Sequence, residues 1–421
     1  MKILYLHQYF VPPDAPGGTR SYEFARRLVK RGHEVTLVTS AAMMKPDFAD
    51  PDRVTRRRFE GIDLVILPVA YGNEMGYARR TLAFASFALG AAKEAIRHRP
   101  DVVFATSTPL TIAIPGLLAR LVRRVPMVFE VRDLWPELPI LMGALPNPAA
   151  QQLARGLEWV AYHGASEVVA LSPGMADGVA RAGISRDRIT VIPNSCDIDA
   201  FTVTPAAVEA SRRRHLPELA ADQPLVVYGG TFGRINDAGW LVEVAAHMAT
   251  IAPEVRFAMA GSGAETEAIA ARGSARGVLG RNLWMLPALP KREMPAFVGN
   301  AAVATSLFMP LPEMWNNSAN KFFDALAAGR PVAINYGGWQ AELLASSGAG
   351  ICLPQGDPAA AAHALAALVR SPVELARASR AASDLARRRF DRDLLAVELE
   401  RVLQRAANSR HAVPGLVEVS P

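Results

Sequence analysis

Glu313-Met-Trp-Asn-Asn-Ser-Ala-Asn-Lys-Phe-Phe-Asp-Ala-Leu-Ala-Ala-Gly-Arg-Pro-Val-Ala-Ile-Asn-Tyr-Gly-Gly338 runs from a polar loop through a short helix into a buried strand, and its reading decides the fold. Asn316, Asn317, Ser318 and Asn320 are poor helix-interior residues and good caps, and they precede a run in which Phe322 and Leu326 share a face. Gly329 stops the helix and Pro331 begins the exit. A helix opened in this way presents unpaired N–H groups and the positive end of its dipole, a setting suited to a phosphate or pyrophosphate. Lys321 adds a full charge there, and Asp324, one turn in, offers a carboxylate to ribose hydroxyls. An ordinary capped helix in an α/β domain is the competing reading of the same residues.

At 421 residues the chain exceeds what one core usually supports, so two domains of about 200 residues are expected. Half of the residues are hydrophobic and a fifth charged, which excludes a disordered or fibrous chain. Cys196 and Cys352 are the only cysteines; they imply no disulfide framework, have no metal-ligand spacing, and point to a reducing cytoplasm. The start, Met-Lys-Ile-Leu-Tyr-Leu-His, lacks the long apolar core of a signal peptide, and secretion is not expected.

No apolar run approaches the roughly 20 residues that span a bilayer. Thr81 to Ala92 is flanked by Arg79, Arg80, Lys93, Arg97 and Arg99, and Leu110 to Leu121 is followed by Arg123 and Arg124. Such segments either lie in a membrane interface or form core-facing helices with solvated ends, and the sequence leaves both open. A net charge of +6 favours an acidic membrane surface or a polyanionic ligand. Basic and aromatic residues are not interleaved as in a nucleic-acid platform, so no nucleic-acid partner is expected.

Outward from the opening stretch, strands and helices alternate. Ile3 to His7 reads as a strand, Arg20 to Lys30 as a helix and Glu34 to Thr39 as a second strand, with Gly17-Gly-Thr19 leading into the helix. This is a βαβ unit with a phosphate-type entry and without the dinucleotide fingerprint; Thr19 is the expected cap. Further strands are expected at Leu64 to Val69, Val102 to Ala105, Met127 to Glu130, Val168 to Leu171 and Ile189 to Ile192. Ligands of a parallel sheet bind beyond the strand C-termini, which selects Gly17, Gly18, residues 106–108, Arg132, Asp133, residues 172–174 and Asn194. After Phe201 the pattern breaks into a Pro- and Ala-rich connection. A second α/β series then begins with Leu225 to Tyr228, the turn Gly229-Gly-Thr-Phe-Gly-Arg234 and the helix Trp240 to Thr250, followed by Phe257 to Ala260 and Gly261-Ser-Gly. The expected segments are 1–203, 204–393, and a terminal helix from 394 with a mobile tail to 421.

The stretches His-Gln-Tyr-Phe, Gly-Gly-Thr-Arg-Ser-Tyr-Glu, Phe-Glu-Val-Arg-Asp-Leu-Trp-Pro-Glu and Asn-Lys-Phe-Phe-Asp-Ala-Leu-Ala-Ala-Gly span most of the chain. On them it resembles the retaining family 4 glycosyltransferases, and within these the bacterial N-acetyl-L-fucosamine transferases of O-antigen assembly. The resemblance implies a GT-B fold: two Rossmann-like domains facing each other across a cleft, with a C-terminal helix crossing back to the first. The family's Glu-x7-Glu falls on Asn316 and Asp324, so the second carboxylate is kept and the first lost; Glu313 is the nearby candidate to replace it. The family's His-Asp is here Arg132-Asp133, and an arginine cannot serve as general base at neutral pH. Arg132 would instead pair with Asp133 or Glu137, or hold an anionic acceptor. The family's diphosphate-binding Arg and Lys correspond to Arg234 and to a position near Asp237, so Lys321 is the expected substitute.

By this resemblance the catalytic candidates are Glu313, Asn316, Lys321 and Arg234. The donor-binding candidates are Gly17, Gly18, Thr19, Gly230, Thr231, Arg234, Gly261, Ser318, Ala319, Asn320, Lys321 and Asp324, with Arg132 and Asp133 on the acceptor side. The implied donor is a UDP-sugar carrying an N-acetylated amino or deoxyamino sugar, and the implied acceptor a polyprenyl-diphosphate-linked saccharide. No Asp-x-Asp element suggests a metal-bound diphosphate, so neither metal nor other cofactor is expected. The implied place of work is the cytoplasmic face of the inner membrane, with peripheral contact. A UDP-sugar epimerase and a catalytically silent nucleotide-sugar-binding partner are the alternatives.

Overall fold

A computed structural model describes residues 1–409 apart from residues 14–17, 46, 73, 74, 134 and 196. Gly17, Cys196 and the tail from residue 410 therefore lie outside the described residues. The chain divides into two compact units: residues 1–12, 19–193 and 395–421 form the first, and residues 13–18 and 194–394 the second.

The first unit is built on β1 (Lys2–Leu6), β2 (Glu34–Ser40), β3 (Thr55–Phe59), β4 (Ile62–Leu67), β5 (Val102–Thr106), β6 (Met127–Val131), β7 (Glu167–Ala170) and β8 (Ile189–Val191). Their order is β3-β4-β2-β1-β5-β6-β7-β8. Every pairing is parallel except β3 with β4. Alternation along β1 explains why the sheet is covered on both sides. Ile3 and Tyr5 join Phe24, Leu28, Leu399 and Leu403 on one face, whereas Leu4 and Leu6 join Phe87, Met127 and Tyr162 on the other. The helix Arg392–Ser409, expected from residue 394, thus completes the first unit's core. β3, with three successive arginines, is not among the strands expected from the sequence. It is a charged edge strand, with Arg56 held 2.7 Å from Glu94.

The second unit carries β9 (Leu225–Gly229), β10 (Arg256–Ala260), β11 (Leu283–Leu286), β12 (Val303–Ser306), β13 (Val332–Ile334) and β14 (Gly350–Cys352). The order is β11-β10-β9-β12-β13-β14, parallel throughout. Leu241, Val244 and Met248 of the helix Trp240–Ile251 pack with Val226, Tyr228 and Leu365 over one face. The strand order reverses at β9 in this unit and at β1 in the first, and a switch point of this kind opens a crevice at the strand C-termini. Both βα series are the parallel, doubly covered sheets expected from the sequence.

Candidate active site

Beyond the end of β9 the chain turns at Gly230 and Thr231 into the short turn Arg234–Asn236. The next strand ends at Gly261, and the two glycine turns interlock: Gly230 N–H donates to the Ala260 carbonyl, and Phe232 N–H to the Ser262 carbonyl. A Cβ on Gly261 would come within 1.9 Å of the Gly230 carbonyl oxygen, so only glycine fits. Thr231 and Arg234 are exposed on this turn.

Into it reaches Lys321, from the helix Asn320–Ala327. Its Nζ donates to Asn236 Oδ1 at 2.6 Å and to the Tyr228 hydroxyl at 3.3 Å, and lies 4.9 and 5.2 Å from the ring centres of Tyr228 and Phe308. A Cβ on Gly230 would stand 3.7 Å from that nitrogen. Burial away from water pushes the ammonium down to about 7, so the amine is poised to take a proton when an anion arrives. The structure therefore brings Lys321 and the Gly230–Arg234 turn together, with Arg234 as the exposed cation.

The helix opens at Ala319, whose side chain cannot cap, and no side chain caps it among the described residues. This corrects the capping role expected of the polar loop. Ser318 Oγ instead accepts from Asn194 N–H at 2.9 Å, and its carbonyl accepts from Asn194 Nδ2 at 2.5 Å. Asn317 Oδ1 accepts from Ala319 N–H at 3.1 Å, and Trp339 Nε1 donates to the Asn317 carbonyl at 2.9 Å. The polar residues hold the loop and leave the N–H groups of Asn320 and Lys321 for something else. Gly18 groups with this unit; a Cβ there would meet Asn320 Nδ2 at 3.1 Å.

Asp324 is buried and accepts from Lys291 Nζ at 2.6 Å, a partner that sequence reading missed. The ion pair leaves Asp324 its remaining lone pairs for hydroxyl donors. Asn316 ends the short 3-10 segment Pro312–Asn316, and Glu313 lies exposed on the same segment. Trp315 lies against Gly337, where a Cβ would touch the indole at 3.2 Å.

In the first unit, Thr19 holds the N-cap position of the helix Arg20–Lys30, but its side chain makes no capping bond among the described residues, a second correction. Arg20 is buried with Glu130, donating at 2.7 and 3.1 Å to one carboxylate oxygen, and also donates to the Pro193 and Ile192 carbonyls. Arg132 pairs with neither expected acid: its guanidinium donates at 2.9 Å to His7 Nε2, whose Nδ1–H faces Ser21 Oγ at 2.7 Å. Burial, with Arg132 and Arg20 nearby, holds His7 neutral, well below its ordinary range. Asp133 accepts from Thr108 Oγ1 at 2.7 Å. His7, just after β1, is thus the group beside Arg132, and its place after a buried strand was the available signal.

The fold, two parallel-sheet α/β units, is that of the GT-B glycosyltransferases. Residues 17–195 match the family described as glycosyl transferase 4-like domain, and residues 223–371 the family described as glycosyl transferases group 1, so the chain belongs with the enzymes built from these two domains. No curated protein matches the sequence. Among solved structures it is similar to sucrose-phosphate synthase from Thermosynechococcus elongatus, with TM-score 0.75, 16% identity, and coverage of 97% of this chain and 99% of that one. Anabaena HepE in complex with UDP and glucose follows at TM-score 0.70 and 18% identity, covering 96% of this chain and 100% of that one. WaaG, a glycosyltransferase involved in lipopolysaccharide biosynthesis, gives TM-score 0.70 and 13% identity, covering 95% of this chain and 99% of that one.

Proposed function

We propose that this protein transfers a sugar from a UDP-sugar, with retention of anomeric configuration, to a polyprenyl-diphosphate-linked saccharide in bacterial surface polysaccharide synthesis. An N-acetylated amino or deoxyamino sugar, of the N-acetyl-L-fucosamine type, is the donor group. The observation that carries this reading is the Lys321 amine seated against the Gly230 turn, beside free N–H groups of its own helix. The UDP bound in HepE supports the donor, and the involvement of WaaG in lipopolysaccharide biosynthesis supports the pathway.

The chemistry follows from charge. As the glycosidic C–O bond to the diphosphate breaks, negative charge grows on the leaving oxygen, and we assign Lys321, Arg234 and the helix N-terminus to its stabilisation, with no metal in the proposed mechanism. The acceptor hydroxyl forms the new bond on the face the diphosphate leaves, and its proton passes to a phosphate oxygen. Asp324 accepts from the ribose, and Arg132, held by His7, faces an anionic acceptor group. The decisive assay gives the full chain a panel of UDP-sugars with and without a short-chain polyprenyl-diphosphate saccharide. UDP release that needs the acceptor, with a mass gain of one sugar, is expected. Donor isomerisation without acceptor would instead make the protein an epimerase, and donor binding without turnover a silent partner.

The membrane reading rests on the first unit. Leu82 and Leu89 of the helix Tyr77–Arg97, Leu121 and Val122 of Ala113–Arg123, and Leu153 and Trp159 of Pro148–Gly164 are all exposed, with Arg79, Arg120, Arg123 and Arg155 also exposed on these helices. No helix among the described residues is long and apolar enough to cross a membrane. Interfacial docking of apolar side chains edged in arginine fits this surface. The variant Leu89→Glu/Leu121→Glu is expected to lose co-sedimentation with anionic vesicles while keeping turnover on a water-soluble acceptor; retained sedimentation would remove the membrane from the proposal.

A further inference from the structure

The helix that carries Lys321 at its start ends in a second feature. A cavity of about 500 Å³ opens in the second unit around Ala327, Gly329, Arg330, Arg212, Arg387 and Ser383, with Phe201, Val203 and Val208 on its apolar wall. Three arginines line it against a single acid, Glu209, and that acid is engaged by Arg213 at 2.7 Å. The Arg330 side chain makes no hydrogen bond or ion pair among the described residues, and its Nε is buried without a partner. Arg212 is anchored through one terminal nitrogen to the Ala220 and Gln223 carbonyls, at 2.6 and 2.8 Å, while its own Nε is also buried and unpartnered. Desolvation disfavours the charge on both Arg212 and Arg330. The desolvated Arg330 side chain and the unpaired Nε of Arg212 face a concave, half-apolar space, and an anion there would offset the cost of burying them.

We infer that this cavity is a binding site for a phosphomonoester of a small sugar, separate from the donor turn. Guanidinium forks match the several oxygens of a dianionic phosphate better than one carboxylate. The cavity lies in the size range of small-molecule sites and exceeds what a bare phosphate fills, which leaves room for a sugar ring against Phe201 and Val203. A phospholipid is the poorer occupant, because none of the exposed large apolar side chains borders the cavity. The inference rests on this cavity alone and stands whether or not UDP binds at Lys321.

The test is calorimetric titration of glucose 1-phosphate, and separately of inorganic phosphate, into the full chain with and without saturating UDP. One equivalent of glucose 1-phosphate is expected to bind in both conditions, inorganic phosphate more weakly. Arg330→Ala/Arg387→Ala should weaken binding at least tenfold, and Lys321→Ala should not. Arg387 is exposed, so Arg387→Glu alone tests the site without disturbing the core, with a loss of at least severalfold expected. Absence of binding, binding abolished by UDP or by Lys321→Ala, or binding indifferent to both arginine variants overturns the inference. A protein that binds glucose 1-phosphate but not UDP would sink the proposed donor and leave the cavity site intact.

Discussion

Lys321→Ala is expected to lower UDP-sugar turnover by about 100-fold or more, the range for removing one preorganised donor from a developing anion. The same residue should give donor binding a pH signature. With the free amine held at about 7, a diphosphate that raises it makes the complex bind more protons than the free protein at higher pH. UDP affinity should therefore fall as pH rises above 7, by up to about tenfold per pH unit until the complex itself loses the proton. Titrations of UDP at pH 6.5, 7.5 and 8.5 read this directly, and in Lys321→Ala the contribution disappears. Folding linkage runs the other way. The unfolded lysine, near its ordinary value of 10.5, binds more protons than the folded one, so this group adds stability as pH climbs from about 7 towards 10. A wild-type UDP affinity that is flat across that range, together with unchanged affinity in Lys321→Ala, would show that Lys321 does not meet the diphosphate.

The second large effect belongs to the buried pair of the first unit. Arg20 and Glu130 have side-chain exposures of 3% and 0%, and Arg20→Ala leaves the carboxylate without its partner. A loss of about 3–5 kcal/mol in urea unfolding of the first unit is expected. The double replacement Arg20→Met/Glu130→Leu removes both charges and should cost much less, since neither desolvated ion remains. Equal losses in the single and double variants would mean that the Arg20 bonds to the Pro193 and Ile192 carbonyls, and not the ion pair, hold the region.

Why some of this was legible in the sequence and some not has physical reasons. Continuous apolar strands such as residues 102–105 and 127–130 announce a doubly covered parallel sheet, and the helix Arg20–Lys30 was readable from its apolar spacing. Residues 55–59 defeated that reading because an edge strand can be charged on both faces. In the site, glycine turns and the Lys321 position are local signals. The partners Asn236, Lys291 and Asn194 are not local: they come from other strand ends, 85, 33 and 124 residues from the groups they meet. His7 was hidden for the same reason, since 125 residues separate it from Arg132. The polar loop misled because Asn and Ser bond backbone in turns as readily as at helix caps, and here Asn194 claimed Ser318.

The helix Arg392–Ser409 carries a consequence for how the protein is made. Leu395, Leu399, Val402 and Leu403 seal one face of a sheet whose strands all lie before residue 192. During synthesis that apolar face has been outside the ribosome for some two hundred residues before its cover emerges. At about 5–20 residues per second this is an interval of roughly ten to forty seconds, and chains normally complete their domains from the N-terminus as they appear. Here the order is inverted: the second unit can close on the ribosome first, and the first unit waits as a half-covered sheet, a natural client for a chaperone, until that helix arrives.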